Sequence, residues 1–133
     1  MLYRVTAMHL LDRPGFLLSV RFAFWLTVLA SSILAVVPQP PDLGTGSLGD
    51  KFNHMLAFGT LTLLACLAFP GASRLRMAER LSFFGALIEV VQALPVLGRD
   101  CDIRDWIADT VAIAMAMAVI HMVLPRLPRG KGP

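Results

Sequence analysis

Four apolar stretches, separated by Pro- and Gly-rich breaks, organise the chain. The first is Phe22–Val37, extended to Leu17 if Arg21 stretches its charged end to an interface. The second is Phe52–Phe69, the third roughly Leu81–Leu97, and the fourth Trp106–Leu124. The third is interrupted by Glu89, Gln92 and Pro95. A helix that crosses a bilayer takes about 20 mostly apolar residues, within a range of about 17 to 25. None of the stretches alternates with period two, which argues against a membrane barrel. The breaks are Pro38-Gln39-Pro40-Pro41 with Gly44, Gly46 and Gly49, then Pro70-Gly71, then Pro95 with Gly98, then Pro125 and Pro128. No internal repeat is visible, and the connections are too short for a second domain. The pattern predicts one all-α domain over residues 1–133, an integral membrane four-helix bundle. Its spans are expected at about 17–37, 52–69, 79–97 and 104–124. Arg4, Arg13 and Arg21 ahead of an apolar run also suit a cleaved signal peptide. The run is long for a signal core, however, and no small-x-small site follows it, so it is read as a spanning helix. Residues 1–13 are read as a loose tail or a short amphipathic helix.

Composition turns this pattern into an exclusion. Of 133 residues, 56% are apolar and 16% charged, where soluble domains carry roughly a quarter charged. Mean hydropathy is +0.69. A soluble domain of this size leaves about a third of its surface in water and needs polar residues to cover it. This chain lacks them, and it is too apolar to be disordered. The net charge of +3 comes from 12 Lys and Arg against 9 Asp and Glu. The basic residues fall in short groups between apolar runs, which speaks for membrane orientation rather than nucleic acid. Odd and even spans run in opposite directions. One side then collects Arg4, Arg13, Arg21, Arg74, Arg76, Arg80, Arg126, Arg129 and Lys131, and the other only Lys51, Arg99 and Arg104. This asymmetry predicts cytoplasmic termini for a multi-pass protein of the inner (plasma) membrane. Acids go the other way: Asp12 and Glu79 lie inside, and Asp42, Asp50, Glu89, Asp100, Asp102, Asp105 and Asp109 lie at or near the outer face. Cys66 is expected about 20 Å down the second span, at 1.5 Å per residue. Cys101 is expected in an outer loop, too far away for a disulfide.

The outer ends of three spans carry the candidate chemistry. Asp50 and His54 are spaced i, i+4 at the start of the second span, with Lys51 beside them and Phe58 below. Glu89 and Gln92 are spaced i, i+3 near the end of the third. Asp102, Asp105 and Asp109 form a stripe at the start of the fourth, flanked by Arg99 and Arg104. An ionisable group within a bilayer costs at least about 2.5–3.5 kcal/mol, faces the bundle interior as a rule, and marks function. The three sets are therefore expected to converge on one outer-leaflet cavity, with Glu89 paired to Arg99 or Lys51. Structural readings compete with the functional one. Asp50, Asp102 and Asp105 suit helix N-termini, where the dipole favours negative charge. Lys51, Arg99 and Arg104 suit interface anchors, and His54 suits a hydrogen-bonded packing residue. Gly85, Ala86, Ala112, Ala114, Ala116 and Ala118 read as close helix packing. Met115, Met117 and Met122 read as gap-filling core or lipid-facing surface, not as a metal site.

The pattern Asp50-Lys51-x-x-His54-x-x-x-Phe58, Gly85-x-x-x-Glu89-x-x-Gln92 and Arg99-x-x-Asp102-x-x-Asp105-x-x-x-Asp109 resembles the VanZ-like family of bacterial membrane proteins. The resemblance covers residues 22 to 124. The family often has Asn where Asp109 stands, followed by glycines, whose place Ala112 and Ala116 take here. The resemblance implies a compact four-helix membrane bundle and a link to envelope-directed glycopeptide and lipopeptide resistance. It implies no particular reaction.

Three functions compete. In the first, the protein binds an anionic envelope lipid or lipid-linked glycan. Lys51, His54 and Arg99 then meet the phosphate, and Asp50, Glu89, Gln92, Asp102, Asp105 and Asp109 order them or take hydroxyls; Arg suits bidentate phosphate contact. In the second, it is a non-catalytic scaffold or accessory subunit, or a homo-oligomer, associating through its membrane helices. In the third, it is a lipid-headgroup transferase or hydrolase with His54 as base and Glu89 as acid. Mg²⁺ on Asp102, Asp105 and Glu89 would be a variant of that reading. The chain has no HExxH, no Ser/His/Asp order and no lipid-phosphatase signature, so binding is preferred over catalysis, with no cofactor and no metal called for. Membrane lipids are the expected partners, and nucleic acid is not.

Overall fold

The computed structural model describes residues 13–38, 49–99 and 101–123, Asp50 by its backbone alone. The amino-terminal tail, the Pro-rich connection and the carboxy-terminal basic residues lie outside these. Among the described residues four helices follow one another: α1 (Pro14–Val36), α2 (Gly49–Ala68), α3 (Arg74–Gln92) and α4 (Ile103–Val123). A short 3-10 turn, Pro95–Leu97, joins the last two. The described residues contain no strand. Three stretches are long and apolar enough to cross a membrane: Pro14–Val36, Lys51–Ala68 and Ile103–Val123.

α1 starts at Pro14, earlier than the apolar run suggested, because proline is at home in a first turn where its missing N–H costs nothing. It is apolar on all sides and buries only Phe24 and Ala35, the signature of a helix surrounded by apolar material. Its few hydroxyls turn inward: Ser19, Thr27 and Ser32 donate to the carbonyls of Gly15, Ala23 and Val28 at 3.0, 2.8 and 2.8 Å. These three hydroxyls therefore ask lipid for no partner. Arg21, expected at an interface, donates instead from Nε to the Ala68 carbonyl at 3.1 Å and lies over the Phe69 ring at 5.6 Å. It thus satisfies a carbonyl at the carboxy-terminal end of α2, where the dipole favours a cation.

α2 is the central helix, packed on α1, α3 and α4. Phe58, Leu61, Thr62, Ala65 and Ala68 line its buried side at helical spacing. Thr62 donates to the Phe58 carbonyl at 2.7 Å, which lets a hydroxyl sit in an apolar core. Cys66 and Cys101 are free thiols. Cys66 packs its sulfur 3.7 Å from Met77 and 3.6 Å from Met117, so Met117 fills the core as the sequence suggested.

α3 runs from Arg74 to Gln92, displaced toward the amino terminus from the expected 79–97. Pro95 stops it, since Leu94, preceding proline, is held extended at φ −70°, ψ 122°. Gly98 then turns the chain in the left-handed region, φ 56°. At the other end the first two turns contain Arg74, Arg76, Glu79 and Arg80, good helix formers, of which Arg74 and Arg76 precede the expected span. For that reason α3 is not among the three apolar stretches.

α3 meets α4 closely. Trp106 donates from its indole to Ser82 O and Oγ at 3.1 and 3.2 Å, and Ser82 and Thr110 hydroxyls pair at 2.9 Å. One turn further along α3, a Cβ on Gly85 would stand 3.1 Å from Asp109 Oδ2 and 3.3 Å from Phe58 Cζ. Asp109 and Phe58 are both fully buried and held, so neither can give way cheaply. Gly85→Ala should cost about 1 kcal/mol net: overpacking of about 1–3 kcal/mol, partly offset by the better helix propensity of Ala. A detergent unfolding titration reads this, and an unchanged midpoint would contradict the close fit.

Candidate functional site

The start of α2, the end of α3 and the start of α4 lie together, and each contributes charge. α4 opens on Asp102, whose Oδ1 accepts the Arg104 N–H at 2.9 Å while its carbonyl accepts the Asp105 N–H at 2.8 Å. This is the N-cap arrangement. The same Asp102 extends two further bonds. Its Oδ2 accepts from Lys51 Nζ at 2.9 Å, and its own N–H donates to Glu89 Oε2 at 3.1 Å. The Lys51 ammonium beside it, then the Arg104 N–H, hold the Asp102 carboxyl below the ordinary carboxylate range. Lys51 also donates to Asp105 Oδ1 at 2.7 Å.

The site is graded in depth. Lys51 and Asp102 form a half-exposed mouth, while Asp105 and Glu89 are buried below it. Asp109 forms the floor, with no exposed surface, against Gly85 and Phe58. Asp109 Oδ2 stands 3.3 Å from His54 Nδ1. One ligand atom each of His54, Glu89 and Asp105 lies within 4.8 Å of the others. Among the described residues, three buried oxygens have no hydrogen-bond partner: Asn53 Oδ1, Glu89 Oε1 and Asp109 Oδ1. Native interiors leave few such atoms unsatisfied, and here they occur in one neighbourhood.

Among the residues expected in the site, Lys51, His54, Glu89, Asp102, Asp105 and Asp109 are joined by these contacts. The Asp50 side chain lies outside the described residues. Gln92 is buried but turns to α1, donating from Nε2 to the Ala35 carbonyl at 3.1 Å. Arg99 reaches the same end of α1, with Nη1 3.5 Å from the Val37 carbonyl. The expected pairing of Glu89 with Lys51 or Arg99 is replaced. Lys51 is taken by two aspartates at the start of α4, and Glu89 is supported by a backbone N–H that no residue pattern would reveal.

A cavity of about 280 Å³ runs between α1 and α2 beside this cluster. Ala30, Leu34 and Ala57 give it apolar walls, and Asn53, His54 and Arg99 line its polar end. Asn53 was not anticipated. It is the sole Asn of the chain, and a carboxamide next to His54 in an apolar run was the available signal. No protein-family model, no curated protein and no solved structure matches this chain.

Proposed function

We propose that this chain is a VanZ-like multi-pass protein of the bacterial inner membrane, a four-helix bundle with cytoplasmic termini, and that it binds an anionic envelope lipid or lipid-linked glycan from the outer leaflet. The observation that carries the reading is the cavity between α1 and α2, an apolar slot that ends on Asn53, His54 and Arg99. A slot of this form takes an acyl or prenyl chain along its walls and a phosphate at its polar end, where Arg supplies a forked donor. Arg99 and His54 line this cavity and Lys51 does not, so phosphate contact falls to Arg99 and His54 rather than to Lys51. Asn53, whose Oδ1 is unsatisfied and which lines the cavity, is an acceptor suited to a headgroup hydroxyl. An envelope or antibiotic-resistance role follows from the VanZ-like motifs alone.

Native mass spectrometry of the purified protein tests the binding. An anionic lipid should accompany the wild-type chain, and Arg99→Ala should lose most of it, about tenfold or more for a charge-assisted contact of about 1.5–3 kcal/mol. Undiminished lipid on Arg99→Ala would sink the reading. The orientation is tested separately, by labelling single cysteines placed in a chain free of Cys66 and Cys101. Positions 40–48 and 98–103 should react from outside and 71–78 from inside, as the basic residues dictate. A carboxy terminus found outside would reverse the assignment.

A second reading has its own observation. His54 with Asp109 behind its Nδ1 at 3.3 Å is a base held by a carboxylate, the geometry of general acid–base catalysis. A headgroup hydrolase or transferase is distinguished by turnover that disappears on His54→Gln while lipid binding persists.

A further inference from the structure

We propose that His54, Glu89 and Asp105 bind one divalent transition-metal ion, best matched to Zn²⁺, in the pocket enclosed by the start of α2, the end of α3 and the start of α4. This goes beyond headgroup binding and does not depend on it. The three side chains place one donor atom each within 4.8 Å of the others. Ligands about 2.0–2.2 Å from a shared tetrahedral Zn²⁺ stand about 3.3–3.6 Å apart. Closing the gap from 4.8 Å takes about an ångström, within the reach of side-chain torsions and without movement of a helix.

A cluster of acids alone would not point to an ion. Its unpartnered atoms do. Glu89 is 5% exposed, and its Oε1 has no hydrogen-bond partner. Asp109 is 0% exposed, and its Oδ1 has none either. Buried carboxylate oxygens of this kind carry a large desolvation penalty unless something positive meets them. The charges packed here are Glu89, Asp105 and Asp109 below, Asp102 and Lys51 at the mouth, and His54. Lys51 is shared between Asp102 and Asp105 and bonds neither Glu89 nor Asp109. Two positive charges placed among His54, Glu89 and Asp105 offset two of the three negative charges that Lys51 leaves.

The donor set selects the class of ion. One imidazole with two carboxylates is softer than the all-oxygen shell that Mg²⁺ and Ca²⁺ prefer, and harder than a thiolate site. Asp109 fits the outer layer of such a site: metal-bound histidines nearly always have a carboxylate or carbonyl against the ring, which fixes its orientation. Three protein ligands below a half-exposed mouth leave one position for water or an incoming group.

The test uses full-length, tag-free protein in a maltoside detergent, stripped of metal with a chelator and titrated with Zn²⁺ alone. One Zn²⁺ per chain should bind and raise Tm, with Mg²⁺ at equal concentration giving much less. His54→Gln and Glu89→Gln should each weaken Zn²⁺ binding by about 100-fold, beyond the loss seen for residues that only orient ligands. Glu79→Gln, an exposed acid near the far end of α3, should leave it unchanged. X-ray absorption of the wild-type complex should show only N and O neighbours, imidazole among them, which keeps the proposal testable if a variant fails to fold. Substoichiometric Zn²⁺ on the wild-type chain would overturn it. So would full retention in both variants, which would place the metal on another histidine such as His121. Because lipid is absent from this titration, its failure leaves headgroup binding standing, and a chain that binds Zn²⁺ but no anionic lipid loses only the latter.

Discussion

Glu89→Gln, measured in metal-free detergent, should unfold no more easily than wild type and is expected to gain about 1–2 kcal/mol. Removing a buried charge that lacks full compensation is commonly neutral or stabilising on this scale. The structural reason is local. Glu89 Oε2 accepts the Asp102 N–H at 3.1 Å, with the Cys101 thiol also beside this carboxylate, and a carboxamide oxygen accepts from such donors equally well. The other oxygen, buried and without a partner, gives way to an uncharged amide. Repulsion with Asp105 and Asp109 falls at the same time. Had Glu89 been the partner of Lys51 or Arg99, the substitution would instead strand a cation and cost about 3 kcal/mol. The sign of the change therefore separates the two arrangements. A loss of 2 kcal/mol or more (about 2, on the same scale) would show that Glu89 carries an ion pair after all. With Zn²⁺ present the ordering should invert, because only the wild-type chain then gains the binding free energy of the ion.

The parts of this molecule that were legible in the sequence are those set by periodicity and composition. Apolar length located α1, α2 and α4, and the spacing of Asp102, Asp105 and Asp109 placed them on one face of α4 because helical geometry leaves no alternative. Small residues marked close contact, and Gly85 against Asp109 is such a contact. What was illegible has physical causes. Hydropathy locates the apolar middle of a helix but not its ends, so the basic first turn of α3 was read as a connection. Gln92 was grouped with Glu89 because i, i+3 residues share a face; yet a helix packed on both α1 and α4 turns neighbouring side chains to different partners, and Gln92 went to Ala35. The support of Glu89 comes from a main-chain N–H, which every residue except proline has and which no spacing can announce. Asp102 was weighed as cap or as site residue. It caps α4 and also holds Lys51, since one carboxylate has lone pairs enough for both bonds.

His54→Leu should be the most damaging single change in the polar cluster, costing about 3–5 kcal/mol in metal-free detergent, the range for removing one member of a buried charged pair. Asp109 lies on the floor with no exposed surface. Its Oδ1 has no partner, and its Oδ2 has His54 Nδ1 at 3.3 Å. Leucine at position 54 would leave the carboxylate with neither oxygen bonded, against the Phe58 ring and the Gly85 backbone. No rearrangement brings it relief: Gly85 leaves no room behind it, and Lys51 is engaged above. The damage belongs to the stranded carboxylate and not to the missing imidazole, which a second substitution makes testable. Asp109→Asn alone keeps an acceptor for an imidazole N–H and should cost under about 1 kcal/mol. In the double variant, His54→Leu with Asp109→Leu, the buried polar pair becomes an apolar one of similar bulk, and most of the lost stability should return, as it does when whole buried pairs are replaced. Unfolding midpoints for the two single variants and the double variant form a closed cycle. Recovery in the double variant supports the pair. Losses that simply add would mean that His54 and Asp109 act on stability independently, and that His54 supports the fold through contacts other than this carboxylate.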